Sequence, residues 1–278
     1  MESRRSIKKC SIGVFDSGFG GLDILKNIIK ELPQYNYVYL GDTARMPYGT
    51  RSQELIYSFT EQAVDFLFKN NCQLIILACN TVSSQALRRI QQEYLPKNYP
   101  QKRVLGVIIP ATETAIQKTI NHRIGVIATQ SSVDSKAFEK ELKKLNSKVR
   151  VFQKSCPLLV PIIEAGEQNS KATQLILENY LKPLIKKQID TLILGCTHYG
   201  YLKNKIRKIV GNQINIISQG KIVAKKLKDY LFRHPEIERK LGQDSKVSFL
   251  TTDLTDNFKI LGAKYFGQNI KLKKVSLE

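Results

Sequence analysis

The sequence lacks the features that mark membrane proteins, disulfide scaffolds and zinc sites. None of its apolar runs, of which residues 74–79 and 104–111 are among the longest, approaches the ~18 residues that suggest a membrane span. Its five cysteines are an odd set without a CxxC motif, which argues against a disulfide framework. Its histidines, His122, His198 and His234, form no H-x-x-x-H pair. We therefore expect a cytoplasmic protein with reduced thiols, no membrane contact and no bound metal.

A phosphate-binding loop is also missing. Gly18, Gly20 and Gly21 form a glycine-rich segment, but Asp23 stands where a dinucleotide motif needs its third glycine. No Lys-Ser/Thr pair follows, as it would in a P-loop. We therefore expect no nucleotide at this segment.

What the sequence does contain is an alternation of short apolar runs with longer amphipathic segments. The runs are apolar throughout, as in parallel strands covered by helices on both faces, so the pattern predicts a doubly wound α/β fold. The predicted strands are 11–15, 37–40, 73–77, 103–109, 123–128, 191–195 and 214–217. The predicted helices are 53–69, 82–94, 132–145, 171–187 and 201–210.

Two features suggest two similar halves. Residues 95–102, LPKNYPQK, contain two prolines and little apolar content, so we place a domain boundary there. The segments LIILACNT (74–81) and TLILGCTH (191–198) repeat a pattern of apolar strand, small residue and cysteine. Ligands of open α/β sheets bind at the carboxyl ends of strands, so both cysteines occupy positions where chemistry is common.

The paired cysteines, Cys79 and Cys196, are the strongest functional signal. Each is expected at a helix N-terminus, where the helix dipole and free amides favour a thiolate. A single cysteine at the end of an apolar strand is more often a small buried hydrophobe. Two matched thiols favour chemistry instead, because one acid/base group on each face is the geometry that inverts a carbon centre. Cys72 and Cys156 lack this context and are interpreted as structural, and Cys10 as a thiol of the N-terminal tail.

Five motifs in order carry a resemblance to glutamate racemase, a cofactor-independent amino-acid racemase. The resemblance extends from about residue 11 to at least residue 230. The motifs are FDSGFGG (15–21), GDTARMPYG (41–49), ACNT (78–81), SCPLLVPIIEAG (155–166) and LGCTHY (194–199).

The resemblance implies roles for individual residues. Cys79 and Cys196 are the catalytic acid/base residues, Asp16 assists Cys79 and His198 assists Cys196. The glutamate-binding positions are Asp16, Ser17, Tyr48, Gly49, Asn80, Thr81, Thr197 and His198. Glu164 matches an acidic position near the cleft, although a surface charge on a helix is an equal alternative.

Each assignment has a structural alternative. Asp16 and Ser17 are also typical turn and capping residues, and His198 could be a buried structural histidine. The five motifs together favour the functional interpretation.

The resemblance also implies an architecture and a biological role. One domain comprises residues 1–100 plus 213–278, the other 101–212, and the active site lies between them in a homodimer that supplies D-glutamate for peptidoglycan. A pyridoxal-phosphate racemase would need a Schiff-base lysine and a phosphate-binding loop. The sequence has paired cysteines and no such loop, so we expect no cofactor.

The charge of the chain leaves an alternative from another class. The formal net charge is +20, and residues 140–278 hold 27 of the 44 basic residues but only 12 of the 24 acidic ones. A basic protein that interacts with DNA or a topoisomerase is therefore an alternative, although no nucleic-acid-binding motif accompanies the charge and we expect no nucleic acid. Racemisation of aspartate or a hydantoin is a second alternative.

Three positions depart from the usual pattern of the family. Gly200 replaces a proline after the second cysteine, and Ser218 and Gln219 replace polar residues of similar size. We expect altered local hydrogen bonds rather than lost activity.

Overall fold

Ten parallel strands in two sheets organise residues 9–277, which are described by a computed structural model. The first sheet has the order β10-β9-β2-β1-β3-β4 and the second β6-β5-β7-β8. The predicted α/β architecture with two parallel sheets is confirmed. The strands are β1 (Ser11–Asp16), β2 (Tyr37–Gly41), β3 (Cys72–Leu77), β4 (Arg103–Gly106), β5 (Arg123–Ala128), β6 (Arg150–Ser155), β7 (Thr191–Gly195), β8 (Asn215–Ile217), β9 (Val247–Thr251) and β10 (Leu272–Lys274).

Helices connect successive strands in both sheets. A π-helical turn, Ile90–Tyr94, follows α4, and a 3₁₀ helix, Thr197–Leu202, precedes α11. The α-helices are α1 (Leu22–Glu31), α2 (Gln53–Lys69), α3 (Asn80–Gln85), α4 (Leu87–Arg89), α5 (Leu95–Asn98), α6 (Ile108–Lys118), α7 (Gln130–Asp134), α8 (Ala137–Leu145), α9 (Leu159–Glu164), α10 (Lys171–Lys186), α11 (Lys203–Val210), α12 (Gln219–Arg233), α13 (Pro235–Glu238) and α14 (Asp256–Phe266).

The central strands and the two longest helices, α2 and α10, agree with the sequence pattern, whereas the predicted helices 82–94 and 132–145 are each interrupted. Strands β3 and β7 are buried along their whole length, as continuous apolar runs require. The predicted strand 103–109 is too long, because β4 ends at Gly106 and helix α6 begins at Ile108. Three strands with polar residues, β6, β9 and β10, were not predicted.

The chain passes from one sheet to the other at later residues than the predicted domain boundaries. Strand β4 pairs with β3 in the first sheet, although the boundary at 100/101 assigns it to the second domain. Strand β8 pairs with β7 in the second sheet, although the boundary at 212/213 assigns it to the first. The stretch 95–102 begins with helix α5 and leads into β4, which pairs with β3 of the first sheet. Residues 1–8 of the predicted first domain lie outside the described residues.

We call the part of the molecule around the six-stranded sheet the first lobe and the part around the four-stranded sheet the second lobe. Helix α12 connects these two lobes. It follows β8 of the second sheet and packs against α1 of the first lobe and α6 of the second. Its buried face includes Val223, Leu227 and Leu231. The position of its first turn is therefore fixed by both lobes.

Candidate active site

A cavity of about 110 Å³ lies between the lobes, at the carboxyl ends of the central strands of both sheets. Ser17 follows β1 and Cys79 follows β3 in the first lobe, while Thr129 follows β5 and Cys196 follows β7 in the second. Because parallel strands end at the same edge of a sheet, each lobe presents its loops to this cavity.

Cys79 occupies the N-cap position of α3, and a hydroxyl group lies close to its thiol. Its Sγ lies 3.3 Å from Oγ of Ser17, and the residue is only 6% exposed. Burial raises the pKa of the Cys79 thiol to about 12, and the nearby carboxylate of Asp16 adds to this shift. The surroundings of Cys79 therefore favour the protonated thiol.

Asp16 lies behind the cavity rather than in its wall. Its Oδ2 accepts a hydrogen bond from the backbone N–H of Gly18 at 3.0 Å, and its Oδ1 lies 3.4 Å from Oγ1 of Thr197. Burial raises the pKa of Asp16, although the charge of His198 opposes this shift. Asp16 therefore connects the loop after β1 with the Cys196 side of the site.

Cys196 is the N-cap residue of the 3₁₀ helix 197–202. The ring of His198 lies between the thiol of Cys196 and the carboxylate of Glu164. The Sγ of Cys196 lies 3.8 Å from Nδ1 of His198. The other ring nitrogen, Nε2, lies 3.1 Å from Oε1 of Glu164, although these two atoms are not aligned for a hydrogen bond. Burial lowers the pKa of His198, but Cys196 and Glu164 outweigh it and raise the pKa to about 10. His198 is therefore an imidazolium at neutral pH, placed to stabilise a thiolate at Cys196.

The loops of the two lobes approach each other closely beside this histidine. A Cβ on Gly20 would overlap the Thr197 side chain and lie 2.8 Å from Nδ1 of His198. Only a glycine fits here, which explains one residue of the glycine-rich segment without a phosphate.

Neutral polar groups form another part of the wall. Asn80 and Thr81 lie in the first turn of α3, and Oγ1 of Thr81 is 3.0 Å from Oγ1 of Thr129 in the second lobe. Thr197 occupies the corresponding place after Cys196. The first-turn amides and these side chains can hold carboxylates without an arginine.

Tyr48 and Gly49 both line the cavity, but the Tyr48 hydroxyl is already engaged in a hydrogen bond. The Tyr48 hydroxyl donates a hydrogen bond to Asp42, so only the rest of the residue faces the cavity. The carbonyl of Gly49 accepts from the Ser131 N–H at 3.2 Å, which connects the first lobe to α7.

The structure brings together almost all of the predicted site residues. Asp16 is the exception, since it lies behind the cavity wall. The predicted site residues that line the cavity are Ser17, Tyr48, Gly49, Cys79, Asn80, Thr81, Cys196, Thr197 and His198. Glu164, for which a surface position was an equal alternative, also lines it. No three His, Cys, Asp or Glu side chains within residues 9–277 are grouped as metal ligands.

Several lining residues were missed, and two had a usable signal. Thr129 directly follows the predicted strand 123–128, which places it at the cavity edge. Cys156 was interpreted as lacking a strand-end position, but β6 ends at Ser155 and Cys156 lines the cavity. The segment after it adds Pro157, Val160 and Pro161. Cys10 is half-buried against Leu241 rather than a free tail thiol.

The fold and the cavity define a two-lobed α/β isomerase with one thiol from each lobe at a shared site. The chain belongs to the Asp/Glu/Hydantoin racemase family, whose model matches residues 12–227. It is similar to the glutamate racemase of Bacillus cereus, with 38% identity over 96% of this chain and 97% of that protein. It is also similar to the glutamate racemase of Persephonella marina, with 40% identity over the same shares.

Solved structures give the same result. A glutamate racemase isoform of Bacillus anthracis matches with a TM-score of 0.88 and 34% identity, over 96% of this chain and 98% of that one. The glutamate racemase of Francisella tularensis in complex with D-glutamate matches with a TM-score of 0.87 and 33% identity, over 97% and 98%. No helix among residues 9–277 has both the length and the apolar character for a membrane crossing.

Proposed function

We propose that this chain interconverts L-glutamate and D-glutamate, with Cys79 and Cys196 as the two acid/base residues. The observation that carries this proposal is the placement of one thiol from each lobe in the wall of a single cavity. A substrate between them would have an acid/base group on each face of its α-carbon. This is the arrangement that inversion by proton transfer requires.

The proton transfers balance without any other reactant. In one direction the thiolate of Cys196 forms an S–H bond as the Cα–H bond breaks, and the electron pair moves toward the α-carboxylate. The thiol of Cys79 then gives its proton to the opposite face of Cα. The roles reverse for the other enantiomer, so each turnover leaves the pair in the protonation state that the reverse reaction needs.

The starting protonation states are supported by the neighbours of each thiol. The ring of His198 is placed to stabilise negative charge on Cys196, whereas burial and the carboxylate of Asp16 raise the pKa of Cys79. The two thiols therefore have different electrostatic neighbours before substrate binds. Removal of water from the cavity strengthens these electrostatic effects when substrate binds.

Glutamate is the proposed substrate for two reasons. The relatives and the structures that match over nearly the whole chain are glutamate racemases, and one of them is a complex with D-glutamate. The cavity also has neutral donors near both thiols, Ser17 and Asn80 on one side and Thr197 on the other, which suit the two carboxylates of this substrate.

Some parts of the proposal go beyond the site itself. We propose that the two sheets define two domains that close on the substrate, and that the chain works as a cytoplasmic homodimer. Its D-glutamate would serve peptidoglycan synthesis. These statements rest on the resemblance of the motifs to glutamate racemase.

The test is incubation of the purified chain with L-glutamate in D₂O without added cofactor. Loss of optical rotation together with deuterium at Cα, detected by NMR, is the expected result. Parallel reactions with L-aspartate and a hydantoin test the alternative substrates. No exchange with any of the three would overturn the proposed activity.

A further inference from the structure

A reciprocal pair of buried amides lies directly behind the Cys79 side of the cavity. Nδ2 of Asn80 donates to Oε1 of Gln219 at 2.7 Å, and Nε2 of Gln219 donates to Oδ1 of Asn80 at 2.6 Å. Both residues are more than nine-tenths buried, at 2% and 5% exposure. Loss of either partner would leave a buried donor and a buried acceptor unsatisfied, so the pairing fixes both side chains strongly.

The two members of this pair occupy different positions relative to the cavity. Asn80 follows Cys79 directly and lines the cavity, whereas Gln219 is absent from its lining. Gln219 instead borders a recess of about 10 Å³ that also contacts Cys196 and Thr197. Gln219 thus reaches the wall only through another side chain.

The helix that begins at Gln219 packs against both lobes. Gln219 is the first residue of α12, which follows the second sheet and packs against α1 and α6. The side-chain amide of Gln219 therefore links α12 to the first turn of α3, which lies beside the thiol of Cys79.

The pairing also determines what Asn80 offers to a substrate. A primary amide has two N–H donors and an oxygen with two acceptor positions. The bonds to Gln219 use one donor and one acceptor, so one N–H of the amide is not used by this pairing. A carboxylate in the cavity needs such a donor at a fixed place.

We propose that Gln219 is a positioning residue that holds the Asn80 amide in register with Cys79, and that it thereby couples helix α12 to the first-lobe half of the active site. This proposal rests on the racemase function proposed above. Gln219 itself touches neither the substrate nor the reacting atoms.

The decisive variant is Gln219→Met, because methionine keeps the length of the side chain and removes both hydrogen bonds. A small displacement of a binding group lowers the rate, so we expect kcat/KM for glutamate to fall by about 10- to 100-fold. The change should appear in KM as well as in kcat, since Asn80 is proposed to hold a carboxylate. Gln117→Met makes the same chemical change at an exposed position of α6 and should leave activity unchanged.

A double-mutant cycle separates positioning from a general structural effect. In an Asn80→Ala background, Gln219→Met should lower kcat/KM by less than about threefold further, because its partner is already gone. An equal loss in both backgrounds would mean that Gln219 acts independently of Asn80 and would overturn the proposal. Wild-type activity of a folded Gln219→Met variant would overturn it too.

The proposal stays testable if Gln219→Met does not fold. Gln219→Glu keeps the size and polarity of the side chain, but its carboxylate only accepts hydrogen bonds and cannot donate to Oδ1 of Asn80. A folded Gln219→Glu variant should show the same loss, and full activity would contradict the proposal. Absence of racemisation in the parent chain would refute the proposed function instead, so the two failures are distinguishable.

Discussion

Cys79 and Cys196 occupy equivalent places in the two lobes, each after an inner parallel strand and at the first turn of a helix. Their neighbours are of opposite kinds. A hydroxyl and a buried carboxyl group lie near Cys79, whereas an imidazolium supported by a carboxylate lies beside Cys196. The fold repeats the positions of the thiols but not their electrostatic environments.

This difference matters for the proposed racemisation, because that reaction needs an acid and a base at the same time. Two thiols in identical surroundings would prefer the same protonation state at rest. The imidazolium beside Cys196 and the burial of Cys79 give the two thiols different electrostatic surroundings before substrate binds. The comparison between the half-sites can therefore be tested by removing its elements one at a time.

Removal of either thiol should have the largest effect. Cys79→Ala and Cys196→Ala should each slow the inversion of glutamate by about 10²- to 10⁴-fold, the usual contribution of a positioned acid or base. Polarimetry measures the loss, and far-UV circular dichroism checks that the fold is retained.

Exchange of the α-hydrogen sharpens this first prediction. A chain with one thiol can still remove and return a proton on one face of the substrate. In D₂O the two variants should therefore exchange different enantiomers. Normal inversion in either variant, or exchange of the same enantiomer by both, would contradict the two-base proposal.

Replacement of His198 should change the pH dependence of activity. Because its pKa is raised to about 10, the imidazolium is present at lower pH and is lost as the pH rises through that value. Activity of the parent chain should fall in this range. His198→Asn should lower kcat near neutral pH by about 10²-fold, and the loss of activity around pH 10 should be absent from its profile.

The matched control for His198 is His234→Asn. His234 pairs with Glu236 at a partly exposed position outside the cavity lining. Its replacement should leave the pH profile unchanged. An unchanged profile in His198→Asn as well would favour a structural role for His198.

Glu164→Gln should have a smaller effect on the same half-site. It removes one of the two groups that raise the pKa of His198, so this pKa should fall, though by less than in Cys196→Ala. An NMR titration of the histidine Cε1–H signals measures both changes, and His122 and His234 serve as internal references. A His198 pKa that is unchanged in Glu164→Gln would show that Glu164 does not support the imidazolium.

The strand-end cysteines could be predicted because a buried parallel strand must be apolar on both faces. The bounds of β5 and β7 agree with the predicted runs 123–128 and 191–195. Strand β6 escaped prediction because it lies at a sheet edge, where RVFQKS remains only partly buried and keeps polar residues. The position of Cys156 at the cavity was missed for the same reason.

The partners of the thiols were harder to predict than the thiols themselves. His198 is near Cys196 in the chain, and its contact follows from local spacing. The contact of Glu164 with His198 and the pairing of Gln219 with Asn80 join distant segments, and only the packing of the lobes brings them together. The sequence marks Gln219 as a departure from the family pattern but cannot identify its partner.

The smallest expected effect concerns the resting state of Cys79 and is measured as stability. In the folded chain its pKa is raised from 9.0 to about 12, whereas the unfolded chain keeps the ordinary value. The unfolded chain therefore loses this proton first, and stability that is complete below pH 9 declines as the pH rises toward 12. At pH 10 the decline from this one thiol should be about 1 kcal/mol.

Cys79→Ala removes this contribution, so the difference in unfolding free energy between parent and variant should change by that amount between pH 8 and pH 10. Urea unfolding with a reducing agent present measures it. Cys72→Ala is the matched comparison, because burial also raises the pKa of the Cys72 thiol to about 12. If Cys72→Ala flattened the pH dependence and Cys79→Ala left it unchanged, the pKa of Cys79 would be the same in the folded and the unfolded chain. Burial would then not hold the Cys79 proton, and the contrast between the two half-sites would rest on His198 alone.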